Sequence, residues 1–446
     1  MPYPGPPRPP FAPPSRLPAV PSRPAILSGY SPASERSPPE AEKPQDRSGT
    51  AKVPPLSGQS QDLSVGIVVE APNCIMAEQL PEEVLVLIFR HLPLKDRDSA
   101  AKVCRAWASA ATSSAVWRDT NISCDCEQEG MLPSYLYTYL AYVHHLRLEC
   151  ELSRKRSRQA VTELLTVLAN CAPRLRSLRL ESRGEKPLFD AGRDILNAVH
   201  TFCGKACELR HLDLRRLPFT LDDKLVLQVA HGCPQLCSIF LDNHTLVDSV
   251  RPSSILELLD ACPHLRALGL HFASLSCAVL QALAAPGRVP FRLLALQGSC
   301  PEDARTSPVP NESWAALCCR HPGLAVELEL EPVMPADCVT RVLQPAIPVS
   351  ALRLNLSGDT VGPVHFAAHH YAATLRVVEV RTSASLELDA ALQELAARCS
   401  GLQEIHCFCV VRPSVLTAFR VHCPRLRSYT LKLKREPHPW LPMLWR

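Results

Sequence analysis

Glycine is scarce in this chain of 446 residues, 17 against 43 prolines. Phosphate-cradling and nucleophile-presenting turns need glycine for their tight backbone approach. No G-x-x-x-x-G-K-[ST], G-x-G-x-x-G or G-x-S-x-G occurs, so nucleotide, dinucleotide and serine-hydrolase chemistry lack their usual loops. An excess of either charge is missing too. The 48 Lys and Arg meet 44 Asp and Glu, a formal net charge of +4, which names neither nucleic acid nor an anionic membrane surface as partner. No charge-free apolar run of 18 or more residues and no terminal lipidation box is present, so neither a membrane span nor an anchor is expected. The opening Met1-Pro2-Tyr3-Pro4 has no basic region followed by an apolar one, so no secretory leader is expected and the compartment is read as reducing and cytoplasmic. Ser153-Arg154-Lys155-Arg156-Ser157-Arg158 is a candidate nuclear-import patch, and a solvated loop before a helix is the plainer reading.

Cysteine, with 20 residues, is abundant. In a reducing compartment these thiols are expected to stay free of disulfides and to serve mostly as small buried hydrophobes. Cys124-x-Cys126, Cys203-x-x-x-Cys207, Cys318-Cys319 and Cys407-x-Cys409 lack the C-x-x-C spacing with which thiolates clasp zinc, and no paired H-x-x-x-H completes a site with them. Neither metal nor cofactor is expected, and no residue is singled out as catalytic.

Composition marks a boundary near residue 75, since 18 of the prolines fall before Met76. Residues 1–75 carry few large apolar side chains and are expected to be disordered, because they cannot bury enough surface to offset the entropy of ordering. Within them Pro18-Ala19-Val20-Pro21-Ser22-Arg23 could lie as a polyproline helix in an SH3 groove, and Ser31-Pro32 and Ser37-Pro38 could accept phosphate. An inert tail is the plainer reading. Met76-Ala77-Glu78, just before the first ordered segment, raises the expectation that the folded protein can begin there.

From Leu80 to Thr120 the pattern is helical. Pro81 suits a first helical position, Glu82 and Glu83 complement the positive end of the helix dipole, and an apolar run Val84 to Phe89 continues to Leu92. Six apolar residues in a row also suit a buried strand, but the Pro-Glu-Glu start favours helix. Val84, Leu87 and Ile88 form one stripe, and Leu85, Phe89 and Leu92 form another beside it. A unit of about forty residues has too small a core to cover both, so one stripe is expected to be buried by another protein. A second helix is expected around Asp96–Lys102, then a third carrying Val103, Cys104, Trp107 and Ala111, with Trp117 just beyond.

After Thr120 the chain repeats L-x-x-L-x-L, often behind Cys-Pro. Close matches begin at Val143, Leu175, Leu209, Leu236 and Leu265. Looser ones begin at Phe291, Ala325, Val349, Leu375 and Leu402, and Leu426 closes the series. The mean step of about 28 residues falls in the leucine-rich-repeat range. The x-Leu-x-Leu part reads as a short strand with alternate residues inward, and patterns such as Ala160, Val161, Leu164, Leu165 and Leu168 read as the returning helix. Three inward side chains cannot stabilise one unit by themselves, so the units must stack.

Leu80-Pro81-Glu82-Glu83-Val84, Ile88-Phe89, Leu92, Leu94, Asp96, Val103-Cys104-Arg105-Ala106-Trp107 and Val116-Trp117-Arg118 resemble the F-box. An F-box followed by leucine-rich repeats resembles the F-box and leucine-rich-repeat family, here over residues 78 to 433. Leu188–Asp194 and Leu356–Pro363 extend the likeness. The resemblance implies an α/β fold: a three-helix F-box at 78–120, then a curved solenoid at 121–433 with a concave parallel sheet and outer helices, between the tails 1–75 and 434–446. It also implies a substrate receptor of an SCF-type cullin-RING ubiquitin ligase. The F-box would dock on the Skp adaptor, and through it on cullin and RING subunits, while the repeats hold the protein to be ubiquitinated. Carried over residue by residue, Leu80, Pro81, Val84, Leu85, Ile88, Phe89 and Leu92 supply the adaptor contact, completed by Val103, Cys104 and Trp107. The family usually has two apolar residues after the acidic position of the second helix, where this chain has Arg97 and Asp98, so weaker packing or adaptor affinity is expected.

Outward strand positions alternate with the inward leucines and are the ones able to recognise a ligand. They include Arg179, then Asp213 and Arg215, then Phe240 and Asp242; further on come Glu327, Glu329 and Glu331, Arg353 and Asn355, and Glu404, His406 and Phe408. From these, Arg179, Arg215, Phe240, Glu327, Glu329, Arg353, His406 and Phe408 are the candidate substrate contacts, Phe240 and Phe408 as aromatic hot spots. The plainer reading is that such charges solvate the face. The tail from Glu436, with Trp440 and Trp445, is expected to cap the last repeat or to fold back along the array. The rival to a ubiquitin-ligase receptor is a scaffold or inhibitor that sequesters a partner on the same repeats.

Overall fold

The computed structural model describes residues 80–124, 134–183, 192–243, 250–298, 309–332 and 334–433. The N-terminal strings Pro18–Arg23, Ser31-Pro32, Ser37-Pro38 and Met76–Glu78, and the tail from Glu436, lie outside these residues.

The first helices are α1 (Glu82–Arg90), α2 (Leu94–Ala101), α3 (Arg105–Thr112) and a short α4 (Ser114–Trp117). Pro81 precedes α1 rather than opening it. Its backbone is extended, and its carbonyl accepts from the amides of Val84 and Leu85 at 3.0 and 3.1 Å. Pro93 starts α2 in the same way. Val103 and Cys104 lie just before α3 instead of inside it. Leu85, Phe89, Ala100, Ala110, Ala111, Val116 and Trp117 form the core of this region, with Phe89 edge-on to Trp107 at 5.2 Å.

At Arg97, where weaker packing or adaptor affinity is expected, the side chain makes three hydrogen bonds while its buried Nη1 has no partner among the described residues. Arg97 is buried, its guanidinium lies over the Trp117 ring, and it donates to the carbonyls of Leu92 and Arg90, both at 3.0 Å, and of Asp119 at 3.3 Å. It thereby ties the end of α1 and the turn after it to the chain leaving α4, using the fork of donors where a relative's apolar residue would simply fill space. Asp98 faces outward and pairs with Lys102 at 2.6 Å.

Beyond α4 the chain enters one sheet of twelve parallel strands in sequence order. They are β1 (Asp119–Cys124), β2 (His145–Cys150), β3 (Ser177–Ser182), β4 (His211–Arg216), β5 (Ser238–Phe240), β6 (Ala267–His271), β7 (Leu293–Gly298), β8 (Ala325–Leu330), β9 (Val349–Leu354), β10 (Val377–Val380), β11 (Glu404–Val410) and β12 (Ser428–Lys432). Every repeat read from the leucine spacing forms a strand. The addition is β1, whose Thr120, Asn121 and Ile122 carry no leucine signature yet pair in register with Leu146, Arg147 and Leu148. Helices such as Lys155–Cys171, Asp223–Gly232 and Leu386–Arg398 return the chain on the other side and bury their apolar stripes against the strands. Strands stack about 4.8 Å apart and helices about 8–10 Å apart, so the sheet takes the inside of the curve.

One step departs from the spacing. Val326 and Leu328 pair with Leu294 and Leu296, while Leu328 and Leu330 pair with Leu352 and Leu354, with an irregularity at Ser350. Leu324 and Val326 are therefore inward, and Ala325 is not the buried first position that the spacing predicts. The slip is of two residues, which preserves the inward and outward faces because side chains alternate with a period of two.

The recurrent Cys-Pro also has a structural reason. Cys233, Cys262 and Cys423 are buried where a helix ends, and their thiols donate to the carbonyls of Cys203, Cys233 and Cys399 in the preceding repeats at 3.4–3.5 Å. Sixteen cysteines, from Cys104 to Cys423, are free thiols.

Candidate binding surfaces

The two stripes of α1 part company. Leu85 and Phe89, each 1% exposed, belong to the chain's own core and leave no surface for a partner, which corrects their assignment as contacts. Val84, Ile88 and Leu87 stand out at 38, 45 and 59% exposure, joined by Val103 at 58%. Leu87 was legible as a member of that stripe but absent from the expected contacts. Leu80, Leu92, Cys104 and Trp107 are half-buried, and Pro81 is exposed. The division follows from helical geometry: α3 and α4 pack on one side of α1 only, so residues about 100° round the helix keep their solvent exposure.

The second surface is the outward face of the sheet. Its central row runs Arg179, Asp213, Phe240, Gly269, Ala295 and Glu327 on consecutive strands β3 to β8. Over the small residues in that row lies an open pocket of about 200 Å³ lined by Arg179, Arg215, Arg216, Asp242, Ala295, Leu296, Gln297, Glu327, Glu329 and Arg353. Five of the expected substrate contacts therefore meet there. Phe240 is not in the lining but supports it, with the Arg215 guanidinium 4.2 Å above its ring. His406 and Phe408 do not line the pocket. His406 is half-buried beside Thr430, at 3.0 Å, and exposed Phe408 lies beneath Arg381 at 4.8 Å.

Most of the pocket's arginines are held by neighbouring acids. Arg215 makes two hydrogen bonds to Asp213, at 3.1 and 2.9 Å, and Arg353 pairs with Glu327 at 3.2 Å. Arg179 pairs with Glu181 and, at 3.5 Å, with Asp213. Glu329 accepts from the neutral amide of Asn355 at 3.2 Å. Asp242 is 7% exposed, and its Oδ1 has no hydrogen-bond partner among the described residues. Burial pushes its carboxyl well above the usual carboxylate range, Arg215 pulls it back, and Asp213 and Glu327 push it further. Asp242 stands among the outward positions read from the sequence but not among the expected contacts, and Gln297 follows the same alternation as Ala295, which is the signal by which sequence could have found it.

Among the described residues no group of three His, Cys, Asp or Glu side chains could hold a metal ion. An H-x-x-x-H pair, His365 and His369, does lie on one helix, but it closes on Glu394 at 2.6 and 2.9 Å, and Arg398 donates to the same carboxylate at 2.9 Å. No helix among the described residues is long and apolar enough to cross a membrane.

A helical segment with an unpartnered apolar stripe, running directly into a parallel-stranded solenoid, is the architecture of an F-box joined to leucine-rich repeats. A family profile described as F-box-like matches residues 77–123. F-box/LRR-repeat protein 8 of Homo sapiens is 73% identical over 367 residues, covering 82% of this chain and 98% of that protein. The Mus musculus protein of the same name is 70% identical over 371 residues, covering 83% and 99%. The chain belongs to the F-box/LRR-repeat protein family. Among solved structures, the one titled "Crystal structure of TLR13-ssRNA13 complex" is 12% identical, with a TM-score of 0.30, over 70% of this chain and 48% of that one; so distant a likeness carries no argument.

Proposed function

We propose that this protein is a substrate-recognition subunit of an SCF-type cullin-RING ubiquitin ligase. The F-box docks on the Skp adaptor through Val84, Leu87, Ile88 and Val103, and the sheet face holds the protein to be ubiquitinated. The observation that supports this most is the apolar stripe left open on α1 while the same helix buries Leu85 and Phe89 in its own core. The chain contributes no bond-making residue. It acts by holding a substrate near a charged conjugating enzyme, which turns a bimolecular transfer into an effectively unimolecular one. The compartment follows from that partnership: cytoplasm, where the adaptor and cullin assemble.

Burying one leucine is worth about 1.5–3 kcal/mol, so Leu87→Glu is expected to weaken adaptor affinity about ten- to a hundredfold. Because Leu87 is 59% exposed, the thermal midpoint of the isolated chain should hardly move. Titration of the adaptor against both chains reads the effect, and undiminished affinity in the variant sinks the docking assignment. Receptor is then separated from scaffold in a reconstituted ligase. A protein bound to residues 121–433 gains ubiquitin with the wild-type chain and loses it with Leu87→Glu. Binding without modification favours the scaffold.

A further inference from the structure

The rim where the strands begin differs in charge from the sheet face, whose arginines are held by neighbouring acids. Immediately before β1 to β7 stand Arg118, His144, Arg176, Arg210, Cys237, Arg266 and Arg292. From His144 onward each amide donates to the carbonyl of the preceding member at 2.7–2.9 Å, so the seven positions are in register on neighbouring strands. With strands about 4.8 Å apart, five arginines and a histidine share a line about 29 Å long. Arg118, Arg210, Arg266 and Arg292 are exposed, and exposed Arg174 adds a further charge two residues before Arg176. The chain's net charge of +4 conceals this row, because its members recur once per repeat instead of forming a run.

Nothing described neutralises it. None of these arginines pairs with a carboxylate among the described residues. Within two positions of the seven members the sequence offers two acids, Asp119 and Glu208, and Asp119 is held by Arg90 and approached by His145 at 4.0 Å. Burial, and then the charges of Arg176, Arg118, His145 and Arg174, push the His144 imidazole below its ordinary value; burial, His145 and Arg210 do the same to His211. Two nitrogens of the row, His144 Nδ1 and Arg176 Nε, are buried without a hydrogen-bond partner among the described residues. Like charges stacked at this spacing repel one another, and an anionic chain laid along them meets an attractive charge at nearly every step.

Two features choose among polyanions. The sheet takes the inside of the curve, so its rim is concave along its length, and a flat anionic bilayer cannot follow it. Trp117 and Phe291 beside the row are buried, which leaves Tyr142 as a lone exposed ring there, so the successive aromatics on which a nucleic-acid strand stacks its bases are missing among the described residues. An extended peptide can bend with the rim, and at about 3.3 Å per residue some nine residues cover the line.

We infer that the row from Arg118 to Arg292 is a docking strip for an extended run of Asp and Glu in the protein held by the repeats. This rests on the substrate-receptor reading above and adds the chemistry of one segment of the substrate.

The test uses the full chain in complex with its adaptor and follows the fluorescence anisotropy of labelled nine-residue peptides at an ionic strength of about 0.1 M, where the screening length of about 10 Å spans more than one step of the row. Nona-glutamate is expected to bind, and nona-glutamine and nona-lysine are not. Arg210→Glu combined with Arg266→Glu, both at exposed positions where folding is not at stake, is expected to weaken nona-glutamate about tenfold. Arg156→Glu combined with Arg420→Glu makes the same change of net charge at exposed positions on the returning helices and should leave the affinity within about twofold. The proposal is overturned by no binding of nona-glutamate, by equal binding of nona-glutamine, by equal losses in the two double variants, or by tighter binding of a nine-nucleotide oligothymidylate or of vesicles made of equal parts phosphatidylserine and phosphatidylcholine. Adaptor capture by the same chains keeps the two readings apart. Absent peptide binding with capture intact removes the strip alone, whereas failed capture by the wild-type chain removes the docking assignment.

Discussion

Asp242 is a buried carboxyl whose proton bears on stability. Its carboxyl is raised by burial, so the folded chain holds this proton to a higher pH than the unfolded chain does. The contribution is fully present below the unfolded value, about 3.9 for an aspartate, and is lost as pH rises towards the folded one. Within that window each pH unit costs up to about 1.4 kcal/mol. The amide of an asparagine has no such proton to lose, so Asp242→Asn is expected to unfold at a higher temperature than the wild type, by a margin that grows as pH rises above about 4. Thermal midpoints across that range check it, and a shrinking margin contradicts the assignment. Burial shifts the buried thiols in the same direction. Burial raises Cys262 and Cys399 to about 12 and Cys423 to about 11, so they hold almost no thiolate at neutral pH. A maleimide is expected to label exposed Cys171, Cys207 and Cys319 in the native chain and the three buried thiols only in denaturant, as peptide mapping would show.

Helix α1 carries two apolar stripes and its own chain covers one. The side that α3 and α4 cover became the protein's own interior, leaving Val84, Leu87 and Ile88 exposed. Arg97 of α2 then fixes the geometry by capping carbonyls at the end of α1 and at Asp119. Arg97→Leu restores the family's apolar residue but strands those acceptors, at a cost of about 2–4 kcal/mol. Denaturant unfolding is expected to show that loss. Arg97→Lys, which keeps the charge without the fork, should recover only part of it. If the leucine variant is as stable as the wild type, the hydrogen bonds contribute nothing net. The slip between β7 and β8 is the other lesson of this scale: a two-residue shift keeps both faces, whereas a one-residue shift carried along the strand would have turned leucines to solvent, and the single extra residue at Ser350 is confined to the start of the β8–β9 pairing.

No linker separates the helical segment from the solenoid. Trp117 at the end of α4 donates to Ala111 at 2.8 Å and stacks flat on Tyr139 at 4.1 Å, and the next residues already form β1. The helices also pack on β1, so they close the first edge of the sheet as terminal caps do in stacked repeats. A chain starting at residue 121 would lose that cap and expose the Leu136 and Leu140 side. It is expected to show a lower thermal midpoint and more aggregation than a chain starting at residue 76, as calorimetry and light scattering would register. At the other end, Val421, Tyr429 and Leu433 stay exposed beside β12. A continuous core from α1 to β12 also ties the open stripe of α1 to the sheet face.

The leucine spacing by itself determined the strand count but for β1, the stacking order and which residues face outward, because inward burial every second residue leaves an imprint on composition. The motif between Leu80 and Trp117 likewise announced a helix with more apolar surface than it could cover. Spacing could not say which stripe of α1 the chain keeps, since both are equally apolar and the choice belongs to the packing of α3 and α4. Nor could it foresee Arg97 as a capping residue or β1 without leucines. It could not show that Asp242, Glu327 and Glu329, some 87 residues apart at the extremes, share one pocket. Those outcomes depend on which residues meet across strands and helices, and contacts between distant residues are set by the packed chain as a whole, with no local pattern to record them.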